Sequence, residues 1–229
     1  MSTPTLPAGR DPRSEGALLL LSAASGAADA FVFICVGQVF AGVMTGNLVL
    51  LGASTAGVGE HGVALRVITA LGAYGFGVMC GAWMSDRLRW PLPVMLLIEV
   101  ALLAAGAALW AGDLIVSDGD RLGLLALIAV AMGIQGRIRA TPTNYFTGTL
   151  TSLVSRVTLR SRVQGDGWVA GRLIAVVAGA AVTALAVRFW PGAAAMAAVV
   201  PAAGALVMES APGLFSRIRL RRSRPPRIG

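Results

Sequence analysis

Long apolar runs alternate with short polar segments along most of this chain. A helix needs roughly 20 apolar residues to cross a bilayer. By that measure six crossings are predicted: Gly16 to about Val36, Val67 to Met84, Leu92 to Gly112, Leu122 to Gly136, Trp168 to Val187 and Trp190 to Met208. The first run stays apolar as far as Gly59, and Asp29 is its only charge. Gly26, Gly37, Gly42 and Gly46 interrupt it. That composition predicts a broken membrane helix with a polar centre. The fourth run is predicted short, ending in Met132-Gly133-Ile134-Gln135. In the second, Gly77 and Gly81 form a small-xxx-small pattern that lets helix backbones approach closely. An alternative makes Gln38 to Ser54 a seventh crossing, with the N-terminus outside.

The two halves echo each other. Thr45-Gly46-Asn47 follows the first run, and Thr147-Gly148-Thr149 follows the fourth. Arg89-Trp90-Pro91 opens the third, and Arg188-Phe189-Trp190-Pro191 opens the sixth. Both pairs are separated by about 100 residues. Three spans per copy is an odd number, so a tandem copy inserts upside down, as in many secondary transporters. The predicted fold class is therefore an all-α membrane protein of about six transmembrane helices. These form two inverted three-helix repeats, with broken or re-entrant segments after spans one and four. Residues 1–15 read as a cytoplasmic tail, 16–112 as the first membrane repeat and 113–121 as an external loop. Residues 122–209 read as the second repeat and 210–229 as a basic cytoplasmic tail.

Composition agrees with the pattern. The chain is 56% hydrophobic and 13% charged, where soluble domains average about 25% charged. The net charge of +8 comes from arginine alone among the basic residues, with no lysine. Nucleic-acid binding is not expected, because cytoplasmic loops of membrane proteins collect positive charge. Cytoplasmic termini place about 16 of the 19 arginines inside, leaving Arg66, Arg121 and Arg188 outside. Arg10 and Arg13 ahead of the first run suggest a signal peptide, but the run continues too far and reads as an uncleaved span. Cys35 and Cys80 lie in apolar segments, and His61 is the one histidine, so neither a disulfide framework nor a metal site is expected. No cofactor is expected. The arginine tail predicts contact with anionic lipids. Homo-oligomerisation is left open.

Several short motifs together resemble a known family. They are Gly26-Ala27-Ala28-Asp29-Ala30, Met44-Thr45-Gly46-Asn47, Met132-Gly133-Ile134-Gln135 and Phe146-Thr147-Gly148-Thr149-Leu150-Thr151. Their order and spacing are similar to those of the YoaK-like family, bacterial multi-pass membrane proteins grouped as a domain of unknown function. The resemblance covers roughly Gly16 to Met208 and implies a bacterial inner-membrane protein. Gly136-Arg137 after Gln135 departs from the family pattern, which has a small polar residue there. The resemblance implies no activity, substrate or catalytic residue.

Candidate chemistry rests on a few polar residues in apolar surroundings. An acid inside a membrane segment normally faces a bundle interior or cavity and marks a functional site. Asp29 fits that description, with a pairing to Gln135 as the structural alternative. Glu99 lies inside the third span, where a pairing with Arg172 is one expectation. Thr45, Gly46, Asn47, Thr147, Gly148 and Thr149 present backbone and side-chain groups to a solute, or pack helices. The expected substrate or ion site combines these residues with Asp29, Glu99 and Gln135, between spans one and four. No P-loop and no Gly-x-Ser-x-Gly elbow is present. The expectation is a small-solute transporter or channel and not an enzyme. A structural or regulatory membrane protein is the alternative.

Overall fold

The computed structural model describes residues 12–58, 62–138, 146–159 and 166–222. Side chains are described through residue 210, those of residues 146, 147 and 149 excepted. The tail before residue 12, His61, Arg139, Arg160 and Arg162 lie outside the described residues. The described residues form eight α-helices: α1 (Pro12–Phe31), α2 (Met44–Thr55), α3 (Val63–Ala82) and α4 (Leu92–Ala111), then α5 (Asp118–Ile138), α6 (Phe146–Thr158), α7 (Asp166–Phe189) and α8 (Met196–Arg222). No strand occurs among the described residues.

Among the described residues, six helical stretches are long and apolar enough to cross a membrane: Pro12–Gly37, Val63–Arg87, Leu92–Ala111, Asp118–Ile138, Asp166–Phe189 and Pro191–Ser210. The chain is thus a multi-pass helical membrane protein. With 12 residues, α2 reaches about 18 Å, well short of the roughly 30 Å hydrocarbon core. It is not a seventh candidate crossing.

The expected short fourth span is corrected. It has 21 residues, because Asp118 and Asp120, expected in a loop, lie in its first turn. Asp120 accepts hydrogen bonds from the backbone N–H groups of Val116 and Ser117, while its own N–H donates to the Ser117 hydroxyl. This reciprocal cap satisfies donors that a helix start leaves free, and carboxylates suit that end of the helix dipole. The first span also departs from expectation, since Gly26 does not break it. The α-helix runs through Gly26 to Phe31 and widens into a π-helical turn over Val32–Gly37. The break follows at Gln38, whose left-handed conformation (φ 56°) turns the chain back. A second wide turn, Trp83–Arg87, ends the α3 span.

Helices α1, α4, α5 and α8 form the centre: α1 packs on α8, α8 on α4, and α4 on α5. Outside them, α7 packs on α1 and α3 on α5, with α2 beside α3. The difference shows in burial: 61% of the apolar window of the first span is enclosed, against 17% for the fifth. Sequence explains the two outer pairings. A side chain at Gly26 would run into the Val176 carbonyl, and one at Gly179 into that of Ala23. Likewise Gly77 abuts the Val130 carbonyl, and Gly133 that of Tyr74. In each crossing a glycine faces the carbonyl three residues before the partner's glycine. Such contacts bring backbones close enough for Cα–H···O interactions, which substitute for a hydrophobic driving force in lipid.

Contacts along α4 give the register of the centre. The Trp110 indole N–H donates to the Pro191 carbonyl at 2.8 Å, and the Trp110 ring meets Phe31 edge-on. Toward the other end, Leu96 clusters with Ala17, Leu21 and Ala205.

Candidate functional site

The broken segment after the first span is held by two polar side chains. Gly42 donates its backbone N–H to Asp29 Oδ1 at 2.7 Å, across a buried contact. The amides of Ala41 and Val43 also face this carboxylate. Asn47, in the first turn of α2, is fully buried. Its Oδ1 accepts from the Phe40 N–H at 2.9 Å, and its Nδ2 donates to the Phe40 carbonyl at 2.7 Å. One amide side chain thus supplies partners for both backbone groups of Phe40. Unsatisfied backbone groups cost several kcal/mol in hydrocarbon, so a non-helical stretch there requires such partners. The sequence signalled both residues; what it did not show is that backbone is their partner. Thr45 is exposed and Gly46 lies beside the Phe40 ring.

Glu99 lies elsewhere, in the middle of the bundle. It is fully buried, and neither carboxylate oxygen has a hydrogen-bond partner among the described residues. The expected pairing with Arg172 is corrected: Arg172 lies 3.5 Å from Glu15 Oε2, and both side chains are nearly enclosed. The pairing of Asp29 with Gln135 is corrected as well, because Gln135 donates to the Leu21 carbonyl at 2.8 Å. Leu21 packs with Leu96, one turn from Glu99, so Gln135 and Glu99 occupy one region of the core. Asp29 lies eight residues beyond Leu21, about 12 Å along the helix. The structure therefore divides the expected cluster into Asp29 with Asn47, and Glu99 with Gln135. Gly148 opens onto free space. The side chains of Thr147 and Thr149 lie outside the described residues.

Sequence reasoning missed Glu15, which was placed in the tail. A signal was present: Glu15, Ser22 and Asp29 recur at seven-residue spacing, with Ser25 between, and all four are buried. A heptad of polar residues on an apolar helix marks one inward face. It also missed a cleft of about 300 Å³ at the end of the bundle away from Glu15, lined by Val36, Leu65, Arg66, Asp118, Arg121 and Leu122. There Arg66 donates to the Gly37 carbonyl at 3.3 Å, at the close of the π-helical turn. On the opposite end, Arg137 pairs with Asp86 at 2.7 Å and Arg156 with Asp166 at 2.9 Å. No group of three potential metal ligands occurs among the described residues.

The model of one protein family matches residues 17–208, described as a protein of unknown function, DUF1275. The chain belongs to this family. The match covers nearly the same stretch as the resemblance to the YoaK-like family, Gly16 to Met208. No curated protein and no solved structure matches the chain.

Proposed function

We propose that this DUF1275 protein carries a small solute across a bacterial inner membrane, as a transporter or channel and not as an enzyme. The observation that carries the reading is the pair of reciprocal glycine crossings. They support a correspondence of α1 with α5 and of α7 with α3, and the Trp-Pro motifs support one of α8 with α4. The central packing follows the same exchange: α1 on α8 corresponds to α5 on α4. Three spans map onto three, as expected of inverted repeats, whose solute sites lie near the repeat interface at the midplane. The buried polar residues Glu99, Gln135, Ser22 and Ser25 support this reading.

The broken segment after the first span supports the same reading. Gly37 lies at the level of Arg66, whereas Gly42 lies back at the level of Asp29. The chain runs back from Gly37 to Gly42 and then along α2, which packs on α3. In the corresponding place of the second repeat, α6 begins with Phe146-Thr147-Gly148. The arginine distribution supports cytoplasmic termini, an orientation in which the cleft opens outward.

One observation favours the non-transporting alternative for half of the site. Asp29 and Asn47 are used in satisfying backbone, which is a structural task. The transport reading therefore leans on the Glu99 region. Reconstitution into liposomes tests it: release of trapped small solutes, or conductance across planar bilayers, should exceed that of protein-free membranes. Equal permeability for a panel of anionic, cationic and neutral solutes would leave the structural reading standing.

A further inference from the structure

The carboxyl group of Glu99 is the one buried acid whose oxygens both lack a partner among the described residues. Its neighbours along α4 are Leu96 and Leu103, both buried. The contacts of Trp110 with Pro191 and of Leu96 with Ala205 run α4 against α8 and place Glu99 near the buried Ala202. Facing it from α5 are the turns around Met132 and Gln135, since Met95 packs with Ile134 and Gly106 lies against Leu124 and Ile128.

Charged groups on the surrounding helices are committed or remote. On α5, Arg137 is bound to Asp86, while Asp118, Asp120 and Arg121 lie at the far end beside the cleft. On α8, Glu209 is about two turns beyond Ala202. On α1, Glu15 faces Arg172, Arg13 is in the first turn, and Asp29 accepts from Gly42. A bare carboxylate charge in such a place costs several kcal/mol unless a positive partner joins it.

The partner can be argued from ligand number. Hard metal ions need about six or more oxygen ligands, and no cluster of acids, histidines or cysteines surrounds Glu99 among the described residues. A proton needs one oxygen. We propose that Glu99 is a proton-binding site: its carboxylate takes a proton from water when the central helices part and keeps it while α1, α4, α5 and α8 enclose it. The proton leaves to water when the helices part again, so the cycle is a reversible protonation with no other reactant. This deepens the transport reading by naming the coupled ion, and it rests on that reading only for what the proton drives.

The test does not require flux. Full-length protein in lipid nanodiscs is treated with a hydrophobic carbodiimide, which modifies protonated carboxyl groups in apolar surroundings, across a pH series. Peptide mass spectrometry then locates the adducts. The expected result is an adduct on Glu99 at low pH that is lost as pH rises, with an infrared carboxylic-acid band that titrates in parallel and is missing in Glu99→Gln. No adduct at any pH, an adduct on Asp29 instead, or an adduct and band that never respond to pH would overturn the proposal. Where Glu99→Gln fails to fold, the wild-type adduct and its pH response decide alone. Titration of Glu99 without measurable solute flux would refute the transport reading and leave this site standing. Flux with an unreactive Glu99 would do the reverse.

Discussion

Asp29 and Gly42, thirteen residues apart, meet through a hydrogen bond of 2.7 Å from the Gly42 backbone N–H to Asp29 Oδ1. This bond ties the returning chain to the helix it has just left. It makes an acceptor at position 29 necessary whatever the charge does. Asp29→Asn retains a side-chain oxygen and should fold with a small loss of stability. Asp29→Ala strands a buried donor, at a cost of about 1–3 kcal/mol. Thermal unfolding of both variants in detergent checks this. Equal stability for Ala and Asn would show that the Gly42 bond contributes nothing.

Asn47 makes a sharper prediction, because it both donates and accepts. Asn47→Asp keeps the acceptor for the Phe40 N–H but loses the donor to the Phe40 carbonyl, and it adds a charge where the native side chain is fully buried. It should therefore destabilise more than Asn47→Ser, which retains a donor. Each loss falls in the range of about 1–3 kcal/mol expected for an unsatisfied buried group. Hydrogen exchange at Phe40 and Gly42 should rise in both variants. Unchanged exchange would contradict the clamp.

The class of the fold was legible because lipid imposes length and composition on every crossing. Details failed where a residue's partner is distant in sequence. Asp118 and Asp120 looked like a loop because charge suggests water, yet the cap formed with Ser117 makes them the start of α5. Glu15 looked like tail, although Arg172, its partner, lies on the fifth span. Glycines misled in the other direction: Gly26 reads as a helix breaker, but inside a continuous helix it is the place where α7 approaches. Within the site, Asp29 and Asn47 were visible as polar residues in apolar runs. That their partners are backbone groups follows from the turn at Gln38, which the sequence pattern does not encode.

The Glu15–Arg172 contact carries the next prediction. Both side chains are nearly enclosed, at 8% and 9% exposure. Removing one partner of such a pair leaves an uncompensated buried charge, with a cost of about 3–5 kcal/mol. Arg172→Leu should therefore be strongly destabilising, and Glu15→Gln added to it should recover part of the loss. A double-mutant cycle on unfolding in detergent reads the coupling. Simple additivity of the two changes would show that the pair does not interact.

Glycine substitutions test the relation between the two halves. On α3, Gly75 faces open space, whereas Gly77 abuts the Val130 carbonyl. Gly75→Ala should be neutral or stabilising by up to about 1 kcal/mol, since alanine is the better helix former. Gly77→Ala forces the helices apart and should destabilise by about 1–3 kcal/mol, the usual penalty for overpacking. The same loss is expected for Gly179→Ala, and a matching pair of losses for Gly26→Ala and Gly133→Ala, because the four glycines occupy equivalent places in two crossings. Combinations add a stricter demand. Gly26→Ala with Gly179→Ala changes one crossing twice, so the second change should cost less than the first. Gly26→Ala with Gly77→Ala changes two crossings that share no partner, and the losses should add. Unfolding midpoints for the singles and doubles supply every term. Two equivalent crossings require equal singles within each matched pair and the same non-additivity in both. A large loss at one crossing with none at the other would mean that the halves, though alike in sequence pattern, are not held together in the same way.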